Sequence, residues 1–318
     1  MKNRTESGGE STRTVVVAVI ANASIATAKI IAALFTGSAS MWAEAAHSVA
    51  DSGNELLLFV GLRRSKKQAD ERHPFGYGQE RFFWAFLAAL GIFLVGGALS
   101  IGEGIRSLLL PEPLDSWLVG VGVLLVAAVF EGYSWTVARR QLRAGARARE
   151  RSMSEHLRRA SDPSATTVFL EDSAALIGLG IALVALLLHE LTGWAQWDAI
   201  GSMGIGVLLI VVAYLLARRS KALLLDESAP ADVLDPIRAL VLRAEWVDDI
   251  PRLQAVYVGP SRLLVNVWVV PTPAASEASA GDLVGRVGDL RSAVLASPHV
   301  VQVSVTVDGS GRAWSASV

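Results

Sequence analysis

The sequence predicts an α-helical membrane protein of six transmembrane helices followed by a C-terminal cytoplasmic α/β domain. Three observations carry that prediction. Of 318 residues, 52% are hydrophobic and mean hydropathy is positive, with the apolar content gathered into long runs. The Lys and Arg residues fall in alternate links between those runs. After Leu225 the composition turns to that of a soluble domain.

Six runs are long enough to cross about 30 Å of hydrocarbon, which takes about 20 helical residues; they lie near 14–36, 40–62, 82–108, 116–138, 166–189 and 196–217. The third is overlong and is expected to tilt or to extend past the lipid. The polar start MKNRTESGGESTR (1–13) lacks a signal-peptide core, so the first run reads as a retained helix behind a cytoplasmic tail. The links at 36–40, 109–115 and 190–195 carry no Lys or Arg, whereas 63–81, 139–163 and 218–221 are strongly basic. The positive-inside rule therefore places both termini and all basic segments on the cytoplasmic side of a cell membrane. Residues 14–225 form the transmembrane domain and 226–318 the soluble one.

In the soluble part, ADVLDPIRALVLRAE reads as an amphipathic helix. LQAVYVG and RLLVNVWVVP read as a hairpin turning at Pro260-Ser261, GDLVGRVGDLRSAVLA as a second helix, and VVQVSVTVDG as a third strand. The order is α-β-β-α-β. No cysteine is present, which excludes disulfides, thiolate ligands and thiol catalysis. A net charge of −1 gives no argument for nucleic acid, and the arginines of 139–160 read as anchors for anionic lipid heads.

The second run is anomalous. AEAAHSVADSGNELLL places Glu44, His47, Asp51, Asn54 and Glu55 where lipid favours leucine. An ionisable group at the bilayer centre costs at least ~3 kcal/mol, so such residues face partners or a pathway. Positions 44, 47, 51 and 55 form one helical stripe. His47 and Asp51 stand one turn apart, an imidazole and a carboxylate suited to a borderline divalent cation such as zinc. In the fifth run, Glu171 and Asp172 lie about one turn in. If the two helices touch, His47, Asp51 and Asp172 supply three ligands, with Glu171 or water as the fourth. A hydrogen-bonded structural clasp is the alternative for His47–Asp51. Acidic clusters on two helices, with no basic residue at their depth, favour the ion site. Carboxylates gathered in low dielectric hold protons when no cation is there, so binding metal expels protons.

Glu103 and Glu131 are lone acids near glycine, with structural or proton-handling roles expected through the Asn22 or Lys29 region. Asp198 is expected to cap the sixth helix. Glycines 178, 180, 201, 204 and 206 are expected to permit close helix packing. Asp70 and His73 in QADERHPFGYGQER are either a second metal site or part of a polar turn around Pro74-Phe75-Gly76. His156, His189 and His299 are isolated.

TGSASMWAEAAHSVADSGNELLL, HPFGYGQERFF, LEDSAALIGLGIA and WDAIGSMGIG together resemble the cation diffusion facilitator family over nearly the whole chain. HSVAD, HPFGYG and LEDSAA are similar to the branch containing zinc transporter nine. The resemblance implies a six-helix metal/proton antiporter, homodimeric, with a ferredoxin-like, metallochaperone-like cytoplasmic domain. It implies a central site in which His47 and Asp51 match the helix-two pair and Asp172 the later helix-five ligand. The earlier helix-five position falls on Val168, which cannot ligate. In the family's loop site Asp70 and His73 match, but the third position is Tyr77. Only His299 represents the histidines that some members place in the soluble domain.

The expectation is a secondary transporter, not an enzyme, that exports a divalent cation, zinc first and Mn²⁺, Fe²⁺ or Co²⁺ as alternatives, against protons. No organic cofactor and no nucleic-acid partner are expected. A metal-responsive membrane sensor without transport is the alternative class, and a proton-coupled carrier of something other than metal is another. An intramembrane metalloprotease lacks an HExxH-type motif.

Overall fold

The computed structural model describes the backbone of residues 7–111, 116–148, 152–153 and 164–308, with side chains from 22 onward except those of 148 and 164–168. The EPLD end of the third link (112–115), most of the Arg-rich 149–163 segment with His156, the tail after 308 and the Val168 side chain lie outside the described residues. The chain divides into two units, Met1–Arg63 with Phe82–Lys221, and Arg64–Arg81 with Ala222–Val318.

The first unit is helical. Its elements are α1 (Ser7–Thr36), α2 (Ala39–Arg64), α3 (Glu80–Leu109), α4 (Trp117–Ala148), α5 (Ser164–Thr192) and α6 (Gln196–Leu224). Among the described residues, α3, α4, α5 and α6 are long and apolar enough to cross a membrane. Helix α2 carries Glu44, Asp51 and Glu55 along its length, which lowers its mean hydropathy. Most helices run past the apolar limits read from sequence, α1 beginning at Ser7 and α4 reaching Ala148. Hydropathy marks only the lipid-facing stretch, and in α4 the Arg, Gln and Ala residues beyond it are good helix formers. Leu34, Val129, Phe130 and Tyr214 are more than half exposed, an outward apolar surface of the kind lipid covers.

The interior is built from small residues. Ala32, Ala33, Ala43 and Ala182 are fully buried beside Met41, Leu186 and Ile205. Small side chains let helix axes approach where lipid supplies no hydrophobic drive. At Gly206 a Cβ would come within 2.9 Å of the Gly97 carbonyl oxygen, and at Gly104 within 2.8 Å of the Ala199 carbonyl, so α3 and α6 touch backbone to backbone. Gly178 and Gly201 also sit in close contacts, whereas Gly180 faces open space and packs nothing. Helix α3 is loosened beside this contact by a π-helical segment at Ile92–Ala98, where the Leu99 N–H reaches the Leu94 carbonyl. The Ser100 hydroxyl donates to the Gly96 carbonyl at 2.5 Å, and the Ser202 hydroxyl donates to the Ser100 carbonyl at 2.8 Å.

The second unit contains α7 (Ala231–Leu242), β1 (Val247–Gly259), β2 (Arg262–Pro271), a short α8 (Pro273–Ser276), α9 (Ala280–Leu295) and β3 (Val300–Val307). The sheet order is β1-β2-β3. β1 and β2 pair antiparallel across Pro260-Ser261, and Ser261 takes φ 53° to close the two-residue turn. β2 and β3 pair parallel, with α9 in the crossover that a parallel pair requires. Alternate residues of β2 (Leu263, Val265, Val267, Val269) are buried. Helices α7 and α9 pack on the sheet.

The α2–α3 loop joins this unit. Gly78 lies against Val258 and Gly259, where a Cβ would come within 2.8 Å of the Gly259 Cα, and Gln79 donates to Asp226 at 3.2 Å.

Candidate functional site

The polar stripe of α2 faces the helical interior, as its spacing requires. Glu44, His47 and Asn54 are buried, and Asp51 is mostly covered. His47 Nδ1 stands 3.4 Å from Asp51 Oδ2 without hydrogen-bond geometry. Among the described residues, both His47 ring nitrogens and Asp51 Oδ1 are buried with no hydrogen-bond partner. Buried polar atoms are nearly always satisfied, so three orphaned acceptor or donor positions within one helical turn need an explanation. A cation bound between imidazole and carboxylate would use them.

Helices α2 and α5 do touch, and the residue that joins them is Glu171. Its carboxylate accepts a short hydrogen bond from Asn54 Nδ2, three residues beyond Asp51. Asp172 turns instead to α4, accepting from the Ser134 hydroxyl at 2.7 Å. Adjacent helical residues point about 100° apart, so the two acids address different neighbours. Asp51 lies within range of the charges of Glu171 and Glu131, and Glu171 within range of Asp172 and Glu55. The acids thus share one electrostatic neighbourhood, but among the described residues no three His, Asp or Glu side chains converge closely enough to hold one ion. The structure brings His47 to Asp51 and Glu171 to α2; Ser134 keeps Asp172 apart.

Several expectations are corrected. The acidic neighbourhood does contain a basic residue at its depth: Lys29 of α1 is fully buried, with its Nζ 2.9 Å from Glu44 Oε2. Asn22 donates to Glu55 at 2.7 Å, making a second polar bridge between α1 and α2. Glu103 does not reach α1; it is clamped by Arg106 on its own helix, at 2.8 Å, as (i, i+3) spacing allows. Glu131 is half-buried within range of the Lys29 charge. Asp198 does not cap its own helix. Its carboxylate, buried beside the start of α2, accepts from the Ser38 hydroxyl at 2.7 Å, the Ser40 N–H at 3.2 Å, and, in short bonds, the Ala39 N–H and the Ser40 hydroxyl. Lys29 is the only Lys or Arg between Arg13 and Arg63, and a lone lysine in an apolar run is a signal that it has a buried partner. Ser134 gave no comparable signal.

In the loop, Asp70 organises a turn. Its Oδ1 accepts from the Arg72 N–H (3.1 Å) and His73 N–H (2.9 Å), and its Oδ2 from Tyr77 (2.7 Å) and Lys67 (3.0 Å). His73 Nδ1 is 3.7 Å from Asp70, and its ring lies 4.1 Å from that of Tyr77. The Tyr77 hydroxyl first, then the Lys67 ammonium and the His73 N–H, hold the Asp70 carboxyl well below the usual carboxylate range. Tyr77 and Asp70 in turn push Lys67 upward. The carboxylate oxygens are occupied by protein donors, the Tyr77 hydroxyl among them. His189 is buried near the end of α5, and His299, at φ 70°, sits in the turn before β3; among the described residues neither belongs to a group of three or more His, Asp or Glu side chains.

Residues 15–225 match the family model described as the cation efflux transmembrane domain. Among curated relatives, the "Proton-coupled zinc antiporter SLC30A9, mitochondrial" of Homo sapiens is 36% identical over 222 residues, covering 70% of this chain and 39% of that protein. The "Metal tolerance protein C4" of Arabidopsis thaliana is 32% identical over 218 residues, covering 69% of this chain and 48% of its own length. The "Cation-efflux pump FieF" of Klebsiella pneumoniae is 28% identical over 242 residues, covering 74% of this chain and 73% of the pump. The match thus takes in less than half the length of the human and plant proteins.

Proposed function

The chain belongs to the cation efflux family, whose members are transporters and not enzymes, and from that premise we propose that it carries a divalent metal cation, zinc first, out of the cytoplasm in exchange for protons. Six membrane-crossing helices, both termini on the cytoplasmic side of the cell membrane, a homodimer and a metallochaperone-like soluble domain complete this reading. The observation that carries it is the His47–Asp51 pair, buried one turn apart with its ring nitrogens and Asp51 Oδ1 unpartnered.

The transport site consists of His47 and Asp51, joined by Asp172 when an ion loads, with Glu171 or water as the fourth ligand. Asn54 and Ser134 hold these two carboxylates by single hydrogen bonds. As an ion loads, donors of this kind on the outer oxygens orient the carboxylates as ligands. Two carboxylates balance a +2 ion in low dielectric, and an imidazole with carboxylates suits zinc as well as Mn²⁺, Fe²⁺ or Co²⁺. With Val168 in the fifth helix, Glu171 or water supplies the remaining ligand. Protons replace the ion on the carboxylates after release, which couples the two flows. Support for exchange of zinc against protons also comes from the human relative named as a proton-coupled zinc antiporter.

At Asp70 and His73 we place a protein-held turn rather than a second ion, since four donors already fill the carboxylate.

Zinc titration of the detergent-purified chain in buffers of different ionisation enthalpy tests the site. One ion bound with proton release, lost in both His47→Ala and Asp51→Ala, is the expected result. Binding that persists in both variants would place the ion elsewhere. Binding with no flux across a sealed membrane would favour a sensor.

A further inference from the structure

Lys29 and Glu44 form an ion pair with no exposed surface, inside the bundle. As a structural prop such a pair is a poor choice, since replacing one with packed apolar side chains is often neutral or stabilising. This pair is also incomplete. Glu44 Oε2 accepts from Lys29, but Oε1 is buried with no partner among the described residues. That free oxygen lies over the backbone of α5 at Gly178, where a Cβ would collide with it. Glycine at 178 therefore makes the room that Oε1 occupies.

The position of Glu44 gives the free oxygen a use. Seven residues bring Glu44 and Asp51 within about 20° of each other around α2. His47 lies between them, about 4.5 Å along the axis from Glu44, and presents its own unpartnered ring nitrogens. Glu44 is thus the next anionic group on the stripe, on the side of His47 away from the basic end of α2 at Arg63 and Arg64. A cation moving from His47–Asp51 toward that far end meets Glu44 Oε1 next.

We propose that Glu44 is a release station for the transported divalent cation and that Lys29 is its tethered counter-cation. The inference rests on the transport reading above. When an ion arrives from His47–Asp51, Glu44 offers its free oxygen, and the fixed charge of Lys29 keeps the contact weak. The ammonium fully reclaims the carboxylate as the ion departs. Like charge at the station opposes return. Lys29 is a positioning residue here, acting through Glu44, and the chemistry it serves is that of a hard or borderline dication held briefly by carboxylate oxygen.

The test uses the full chain in proteoliposomes, with zinc ions as the probe and equilibrium zinc binding measured in parallel. The neutral pair Lys29→Met/Glu44→Gln is expected to bind zinc as tightly as wild type, while maximal flux falls about tenfold at little-changed KM. Lys29→Arg keeps the charge but has a fork that can grip both oxygens; it is expected to retain or raise thermal stability and also to slow flux. A pair that served only packing would leave flux intact in the Arg variant. If the neutral pair does not fold, the Arg variant decides alone. Wild-type flux in the Arg variant, or zinc binding lost together with flux in the neutral pair, overturns the station. If wild type moves neither zinc nor manganese, iron or cobalt, the transport reading fails and the station falls with it; wild-type flux with indifferent variants removes the station only.

Discussion

Replacing Asp198 by Ala should destabilise the helical unit by several kcal/mol, although the residue lies on α6 and its clients are on α2. The carboxylate takes two backbone N–H groups, of Ala39 and Ser40, and the hydroxyls of Ser38 and Ser40. The hydroxyls have an alternative, since Ser38 Oγ and Ser40 Oγ lie 3.0 Å apart. The two N–H groups belong to fully buried residues at a helix start and have none. Orphaning a buried donor costs about 1–3 kcal/mol, so two give about 2–6 kcal/mol. Asp198→Asn keeps one acceptor oxygen and loses the charge that favours a helix N-terminus, for roughly half that cost. At about 2–4 °C per kcal/mol for a unit of this size, Asp198→Ala should lower the melting temperature in detergent by about 4–24 °C. Fluorescence-detected size exclusion after heating measures this directly. A shift under about 2 °C in the Ala variant would refute the reasoning. So would an Asn variant less stable than Ala.

Three further outcomes are expected. Gly206→Ala should cost about 1–3 kcal/mol by overpacking against Ile101 and the Gly97 carbonyl. Gly180→Ala meets nothing within 4 Å and should be neutral or stabilising; the same melting assay separates the two. The Asp70 turn should outlast the usual carboxylate titration on acidification. Its folded carboxyl is held low, so its stabilisation is full above the ordinary value near ~3.9 and is lost only as pH falls through the lower folded value. Amide exchange at Arg72 and His73, corrected for intrinsic rates, should stay slow through that range, and Asp70→Asn should speed it at all pH. Protection that needs added zinc would instead restore the loop as a metal site. Finally, Gly178→Ala should push Glu44 Oε1 aside and slow zinc flux with little loss of stability, because the atom displaced ends a flexible side chain.

Much of the architecture was legible because lipid imposes simple demands. Apolar runs about 20 residues long have few alternatives to helices, and the α-β-β-α-β order followed from period-2 alternation broken by Pro260-Ser261. The stripe on α2 was legible for the same reason, as its polar residues recur at helical spacing. Pair partners were not. Whether Glu171 or Asp172 meets α2 depends on helix rotation, which sequence spacing does not set, and the structure gives that contact to Glu171 through Asn54. Asp198 looked like a local cap because local caps are common; its reach to Ser38 and Ser40 spans 158–160 residues of sequence. The π segment at Ile92–Ala98 has no spacing signature, only the Gly96-Gly97 step that lets α3 approach α6.

Zinc flux in proteoliposomes under an imposed pH gradient, comparing wild type with Asp51→Ala, reads the transport site most directly. Proton-coupled flux in wild type that disappears in Asp51→Ala is the expected result. Flux that survives Asp51→Ala would make the His47–Asp51 pair a structural clasp and move the transport site elsewhere in the chain.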